Sequence, residues 1–298
     1  MSRAKAGGKY VHAFFHAGWS SWSRDIEADV YGDKAVMEFL SEDFVNLRID
    51  VENQSARSAL NGDVQDAPVV WILDPEASPK DRLLVQIGQY CLAPDFISRL
   101  KRVKPEHERL KKARVAFSER REDPAVCVEL GLAALNFDRM GEAEPCLEFA
   151  LRCQADRSSP VALDAMWGLA VINSGNRPRE SRVMLDRLLI ADSGNRGGRA
   201  DNALLLKLRL TTDLSTAEVR SALQNIVERY PGTDGAFEAM FLLAASFANR
   251  DGEFAMARHW LERLAKETPD GVWAPRVKLA LGVLERNEQG AAAGERKR

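Results

Sequence analysis

The segment Trp19-Ser20-Ser21-Trp22-Ser23 sets two hydroxyls, Ser20 and Ser23, three residues apart between an apolar run and an amphipathic stretch. A serine becomes a nucleophile only when a base stands in hydrogen-bond reach. The segment offers neither histidine nor lysine for that task, so hydrolysis through Ser20 is not expected. His12 and His16 are four apart on a strand and its turn, where that spacing does not align them as it would on a helix. His107 and His259 lack evident ligand companions, so no metal and no other cofactor is expected.

Sulfur is the other candidate. The four cysteines, Cys91, Cys127, Cys146 and Cys153, contain no C-x-x-C pair. Most read as free thiols serving as small apolar side chains. Cys91 lies three residues beyond Gly88, at the end of a strand that should approach the serine turn. A lone redox or sensor thiol belongs there if anywhere, but no basic neighbour in sequence lowers its pKa. The glycine-rich stretch 193–199 lacks the Gly-Lys-Ser/Thr ending and the preceding strand of a phosphate loop, so it reads as a connection between helices.

The elements that position these groups follow from periodicity. Residues 9–15 are short and mostly apolar, a buried strand. A helical stretch from Ser23 carries Ile26 and Val30, then Val36, Phe39 and Leu40 after a break at Gly32. Residues 44–51 alternate with period two, a second strand. Polar residues 52–61 allow a short helix that Asn61-Gly62 would close. Pro68 opens a third strand, residues 69–73. A turn over 74–81 leads to the return strand 83–88, and a closing helix starts near Pro94.

With Trp19 before Ser20, and with Ser20 and Ser23 in the two sulfur positions, this order resembles the thioredoxin superfamily and its Trp-Cys-x-x-Cys turn. Pro68 falls where that family places a cis-proline facing the motif, so the resemblance covers residues 9–103. Phe14 stands where redox-active relatives often hold a buried acid. Thiol–disulfide exchange needs a thiolate and a mixed disulfide, so the resemblance implies a fold kept without its chemistry. It also implies an extended-peptide groove at Trp19, Ser20, Ser21, Trp22, Ser23, Ala67 and Pro68, because strand-addition binding needs no sulfur. Trp22 either lends aromatic contact area there or packs against the next domain.

Residues 104–123 are highly charged and mixed in sign, which fits a solvated connecting helix better than a nucleic-acid patch. Beyond them, Ala- and Leu-rich helices recur with a period of about 34–37 residues. Leu130-Gly131, Ala143 and Ala150 open the series, followed by Trp167-Gly168 with a turn at Gly175-Asn176. Ala222-Leu223 with Tyr230-Pro231-Gly232 marks a third unit, and Ala245, Gly252, Ala257 and Pro269 a fourth. These spacings are similar to tetratricopeptide repeats of bacterial type.

The chain of 298 residues has 45% hydrophobic and 29% charged residues and a formal charge of −2, giving no global pull toward nucleic acid or anionic membrane. No apolar run spans a bilayer, and the start lacks the apolar core of a secretion signal, so a cytoplasmic location is expected. The expected architecture is α/β plus all-α: a thioredoxin-like domain over 1–103, a connecting helix over 104–123, a tetratricopeptide-like solenoid over 124–286 and a disordered tail over 287–298. The implied function is a non-catalytic adaptor or chaperone-like scaffold with protein or peptide partners. The alternative is a thiol–disulfide oxidoreductase, with motif cysteines replaced in this chain or with Cys91 as its single thiol.

Overall fold

The structure is a computed structural model that describes the chain except residues 54, 56–63, 65–66, 89–90, 249–251 and 296–298, with side chains beyond 289 also left out. The helix expected to end at Asn61-Gly62 therefore lies outside the described residues. The chain forms two compact units, Met1–Glu108 and Arg109–Arg298.

The first unit contains α1 (Ser2–Ala6), β1 (Tyr10–His16), α2 (Ser21–Asp29), α3 (Lys34–Asp43), β2 (Phe44–Asp50), β3 (Val69–Leu73) and β4 (Leu83–Ile87). Its sheet has the order β2-β1-β3-β4. β1 runs parallel to β2 and antiparallel to β3, and β4 is antiparallel to β3. This order, with the cis peptide bond between Ala67 and Pro68, is a thioredoxin-like arrangement. Strand β1 is central and buried on both faces, which explains its near-continuous apolar run. One face joins Val11, Ala13 and Phe15 to Ile49, Val69 and Trp71 in a single apolar cluster.

The other face of β1 carries His12, whose ring lies within 5.6 Å of Tyr31, 6.0 Å of Phe96 and 6.4 Å of Phe44, centroid to centroid. Its Nε2 is 3.0 Å from the Tyr31 hydroxyl. Burial opposes the charged imidazolium and pushes the His12 pKa down to about 4, against a hydrogen bond with Asn46 that acts the other way. At the start of β1 a second buried histidine, His107, takes the Tyr10 hydroxyl at 3.0 Å on Nδ1 and lies 3.6 Å from the Asp74 carboxylate through Nε2. His107 thus has polar companions that its position in the sequence does not reveal.

Helix α4 (Ala93–Glu119) is one continuous helix. The closing helix and the separate charged connecting helix expected over 104–123 are therefore corrected to a single element. Its Lys-, Arg- and Glu-rich second half favours helix strongly enough to continue through Pro105. The second unit continues with α5 (Pro124–Leu135), α6 (Met140–Cys153), α7 (Pro160–Asn176), α8 (Pro178–Ala191), α9 (Ala200–Arg209), α10 (Thr216–Arg229), α11 (Asp234–Ser246), α12 (Phe254–Glu267) and α13 (Trp273–Glu295). Each of these packs on its sequence neighbour, and α5 also meets α7 as α9 meets α11.

Gly175-Asn176 is the last turn of α7 rather than a connection, because Pro178 can open α8 one residue later at the position where its missing N–H costs nothing. Helix α13 also runs into the stretch expected as a disordered tail over 287–298, where Ala291, Ala292 and Ala293 favour helix. Only residues 296–298 of that stretch lie wholly outside the described ones.

Close packing in this unit turns on Leu147 of α6, fully buried between two glycines. A methyl group at Gly131 of α5 would come within 2.6 Å of its Cγ, and one at Gly168 of α7 within 2.6 Å of its Cδ1. Gly131→Ala and Gly168→Ala should therefore each lower the unfolding free energy of the helical unit by about 1–3 kcal/mol through overpacking. Gly141→Ala, which meets nothing within 4 Å, serves as the control in calorimetry. His12 gives a second expectation. Its folded pKa lies below the unfolded value of 6.5, so its contribution is complete above about pH 6.5 and is lost as pH falls toward 4, by about 3 kcal/mol. His12→Phe should flatten the stability-against-pH curve in that window, measured by urea unfolding at pH 4.5 and 7.

Candidate functional site

Strand β1 ends at His16, and Ala17 begins the turn that feeds α2. Both backbone groups of Ala17 are held by the turn. Its carbonyl accepts from the Ser20 N–H at 3.1 Å, and its N–H donates to Ser23 Oγ at 3.2 Å. Ser20 is the N-cap of α2, accepting the Ser23 N–H at 3.3 Å. A cap of this kind satisfies one of the open donors at a helix start and is worth about 1 kcal/mol.

The same Ser20 hydroxyl donates to the Ala67 carbonyl at 3.3 Å, across 47 residues of sequence. The structure thus brings Ser20 and Ser23 together with the Ala67–Pro68 peptide that leads into β3. Both serines are buried, at 5% and 2% exposure. A hydroxyl has one proton to give, and Ser20 gives it to a carbonyl, which cannot act as a base. Phe14, at the position of the family's buried acid, is itself buried and packs at 4.8 Å on the Tyr31 ring.

Around these buried hydroxyls the turn presents apolar surface. Trp19 is 66% and Trp22 59% exposed, and Ser21 is exposed beside them. Arg24 donates from Nη1 to the Gly18 carbonyl at 3.2 Å and so braces the loop that carries Trp19. The arrangement offers aromatic area without an activated nucleophile. Two large exposed rings in one turn are a feature of binding surfaces.

Cys91 is half-buried. Burial pushes its thiol up, Arg99 pulls it down and Asp95 adds to the rise, with a net upward shift. That favours the thiol over the reactive thiolate at neutral pH. Cys127 is pushed up by burial as well, and its Sγ donates to the Arg121 carbonyl at 3.2 Å. Cys146, buried, is pushed up to about 11. Among the described residues no group of three or more His, Cys, Asp or Glu is placed to hold a metal ion, and no helix is long and apolar enough to cross a membrane.

No family model matches the chain, and no curated protein matches it. Twelve chains of known structure do. One is a thioredoxin from Thermus thermophilus, solved in solution, with 22% identity over 34% of this chain and 78% of that one at a TM-score of 0.30.

Sequence reasoning missed a cleft of about 410 Å³ within the helical unit, where α7 and α8 face residues of α6. Its signal was present as the spacing Arg179, Val183, Arg187, one face of α8 at i, i+4 and i+8. That pattern becomes informative only when the neighbouring helices are known.

The cysteines allow a direct check. With iodoacetamide at pH 7.5, exposed Cys153 should be modified first, Cys91 behind it and Cys146 last, as read by peptide mass spectrometry. Modification of Cys91 ahead of Cys153 would restore the single-thiol alternative.

Proposed function

We propose that this chain is a non-catalytic protein-binding adaptor or chaperone-like protein. Its thioredoxin-like domain, over 1–103, holds extended peptide segments at the turn of residues 19–23 beside Ala67 and Pro68. A tetratricopeptide-type solenoid over 124–286 supplies the scaffold for a further partner, and the protein works in the bacterial cytoplasm.

The single observation that carries this reading is the use made of Ser20. Its hydroxyl caps α2 and donates to Ala67, inside a turn whose two tryptophans face outward. An oxygen so engaged supports holding rather than exchange. A mixed disulfide needs sulfur at that position. The tryptophans supply contact area at little side-chain entropy cost. The scaffold part is supported by the close approach of α5, α6 and α7 at Gly131, Leu147 and Gly168 and by the period of about 34–37 residues. The upward shift of Cys91 speaks against the oxidoreductase alternative.

The test uses a permanently unfolded probe, a reduced and carboxymethylated protein carrying a fluorophore. The full chain should bind it saturably, and Trp19→Ala with Trp22→Ala should weaken binding at least about tenfold, which is about 1.4 kcal/mol, with the melting temperature unchanged. The same preparation should not accelerate insulin disulfide reduction by dithiothreitol. Undiminished binding by the double variant overturns the turn as the binding surface, and thioredoxin-like acceleration overturns the non-catalytic reading.

A further inference from the structure

The cleft of the helical unit is polarised. Glu144 and Glu148, one turn apart on α6, line one wall, while Arg179 and Arg187, two turns apart on α8, line the other. The acidic wall is already balanced within the protein. Glu144 is paired with Arg177, which also reaches Glu180 at 3.6 Å, and Glu148 lies 4.0 Å from Arg152. Arg179 and Arg187 are exposed and have no ion-pair or hydrogen-bond partner among the described residues. The charge left over in the cleft is therefore positive and sits on one helix face, with Val183, 52% exposed, between the two guanidinium groups.

A second, independent feature points into the same place. Asn173 of α7 lines the cleft and is only 7% exposed, yet its Oδ1 has no hydrogen-bond donor. Buried amides in native proteins are nearly always satisfied. An acceptor left open beside a cleft calls for a ligand N–H, and the side-chain amide turns readily about its last torsion to meet one. The ligand must then combine N–H donors with anionic groups. A peptide in extended form does this, because its backbone N–H groups are not consumed by a helix of its own.

The spacing fixes the register. Eight residues along α8 span about 12 Å, and four residues of extended chain span about 13 Å with positions i, i+2 and i+4 on one side. We propose that this cleft binds an extended acidic segment of a partner protein. Carboxylates at i and i+4 fork onto Arg179 and Arg187, an apolar side chain at i+2 covers Val183, and a backbone N–H is donated to Asn173. Guanidinium suits this role because it binds carboxylates bidentately. The proposal goes beyond the adaptor reading by naming a second surface and its ligand, and it shares no residue with the turn at Trp19 and Trp22.

The experiment is fluorescence anisotropy on the full chain at low salt. The probe is a fluorescein-labelled peptide with glutamates at i and i+4 and leucine at i+2, otherwise uncharged. Saturable binding is expected, weakened at least about tenfold by Arg179→Gln with Arg187→Gln and by glutamine for both peptide glutamates. Moving the second glutamate to i+2 should weaken it severalfold, as should Asn173→Leu, while Arg196→Gln, which removes the same charge elsewhere, should not. Both arginines are exposed, so the variants should melt with the wild type. Absence of saturable binding, equal binding by the arginine double variant, or indifference to glutamate spacing would each overturn the proposal. Trp19→Ala with Trp22→Ala should leave this binding intact, so failure of the adaptor turn and failure of this cleft are read separately.

Discussion

The hydroxyl of Ser20 joins three parts of the first unit that are distant along the chain. It ends the turn after β1, satisfies the first turn of α2 and reaches the carbonyl of Ala67 just before β3. Each contact is an ordinary hydrogen bond worth perhaps a kilocalorie net, but in a site this buried the alternative is an orphaned donor or acceptor, which costs more than the bond gains. The residue is fixed by what its neighbours would lose. Ser23 plays the same part for Ala17. A pair of positions that in an exchange enzyme would face a substrate is turned inward, and the aromatic neighbours are left facing out.

This turn is held in place by β1. A central strand with parallel and antiparallel neighbours has its ladder satisfied on both edges, and burial on both faces leaves no register in which its side chains could reach water. The same strand carries Phe14 against Tyr31 and His12 among four aromatic rings' worth of neighbours on one side, and Val11, Ala13 and Phe15 on the other. The position of Ala17, and so of the two serines, follows from where that strand must stop.

The strands, the turn and Pro68 could be read from the sequence because each leaves a local mark: an apolar run, a period of two, a tryptophan next to a helix cap. Glycines 131 and 168 were visible as small residues in a repeat, although the side chain they make room for, Leu147, was not. The unbroken α4 was harder, since a proline and a change of composition both suggest a boundary while helix propensity carries through them. Gly175 and Asn176 misled for a related reason, being turn formers absorbed into the last turn of α7 ahead of Pro178. His107 between Tyr10 and Asp74, and the arginines of α8 opposite Glu144, depend on partners far away in sequence, and no local pattern announces them.

The inward-facing hydroxyl at Ser20 has one more physical consequence. Oxygen has no counterpart to the two-electron thiol–disulfide couple, so this turn keeps a single chemical form whether glutathione around it is reduced or oxidised. A cysteine-based relative gains and loses its grip as that ratio moves. Here the occupancy of the surface is set by concentration and affinity alone, and it persists through oxidative swings that would switch a thiol-bearing turn off.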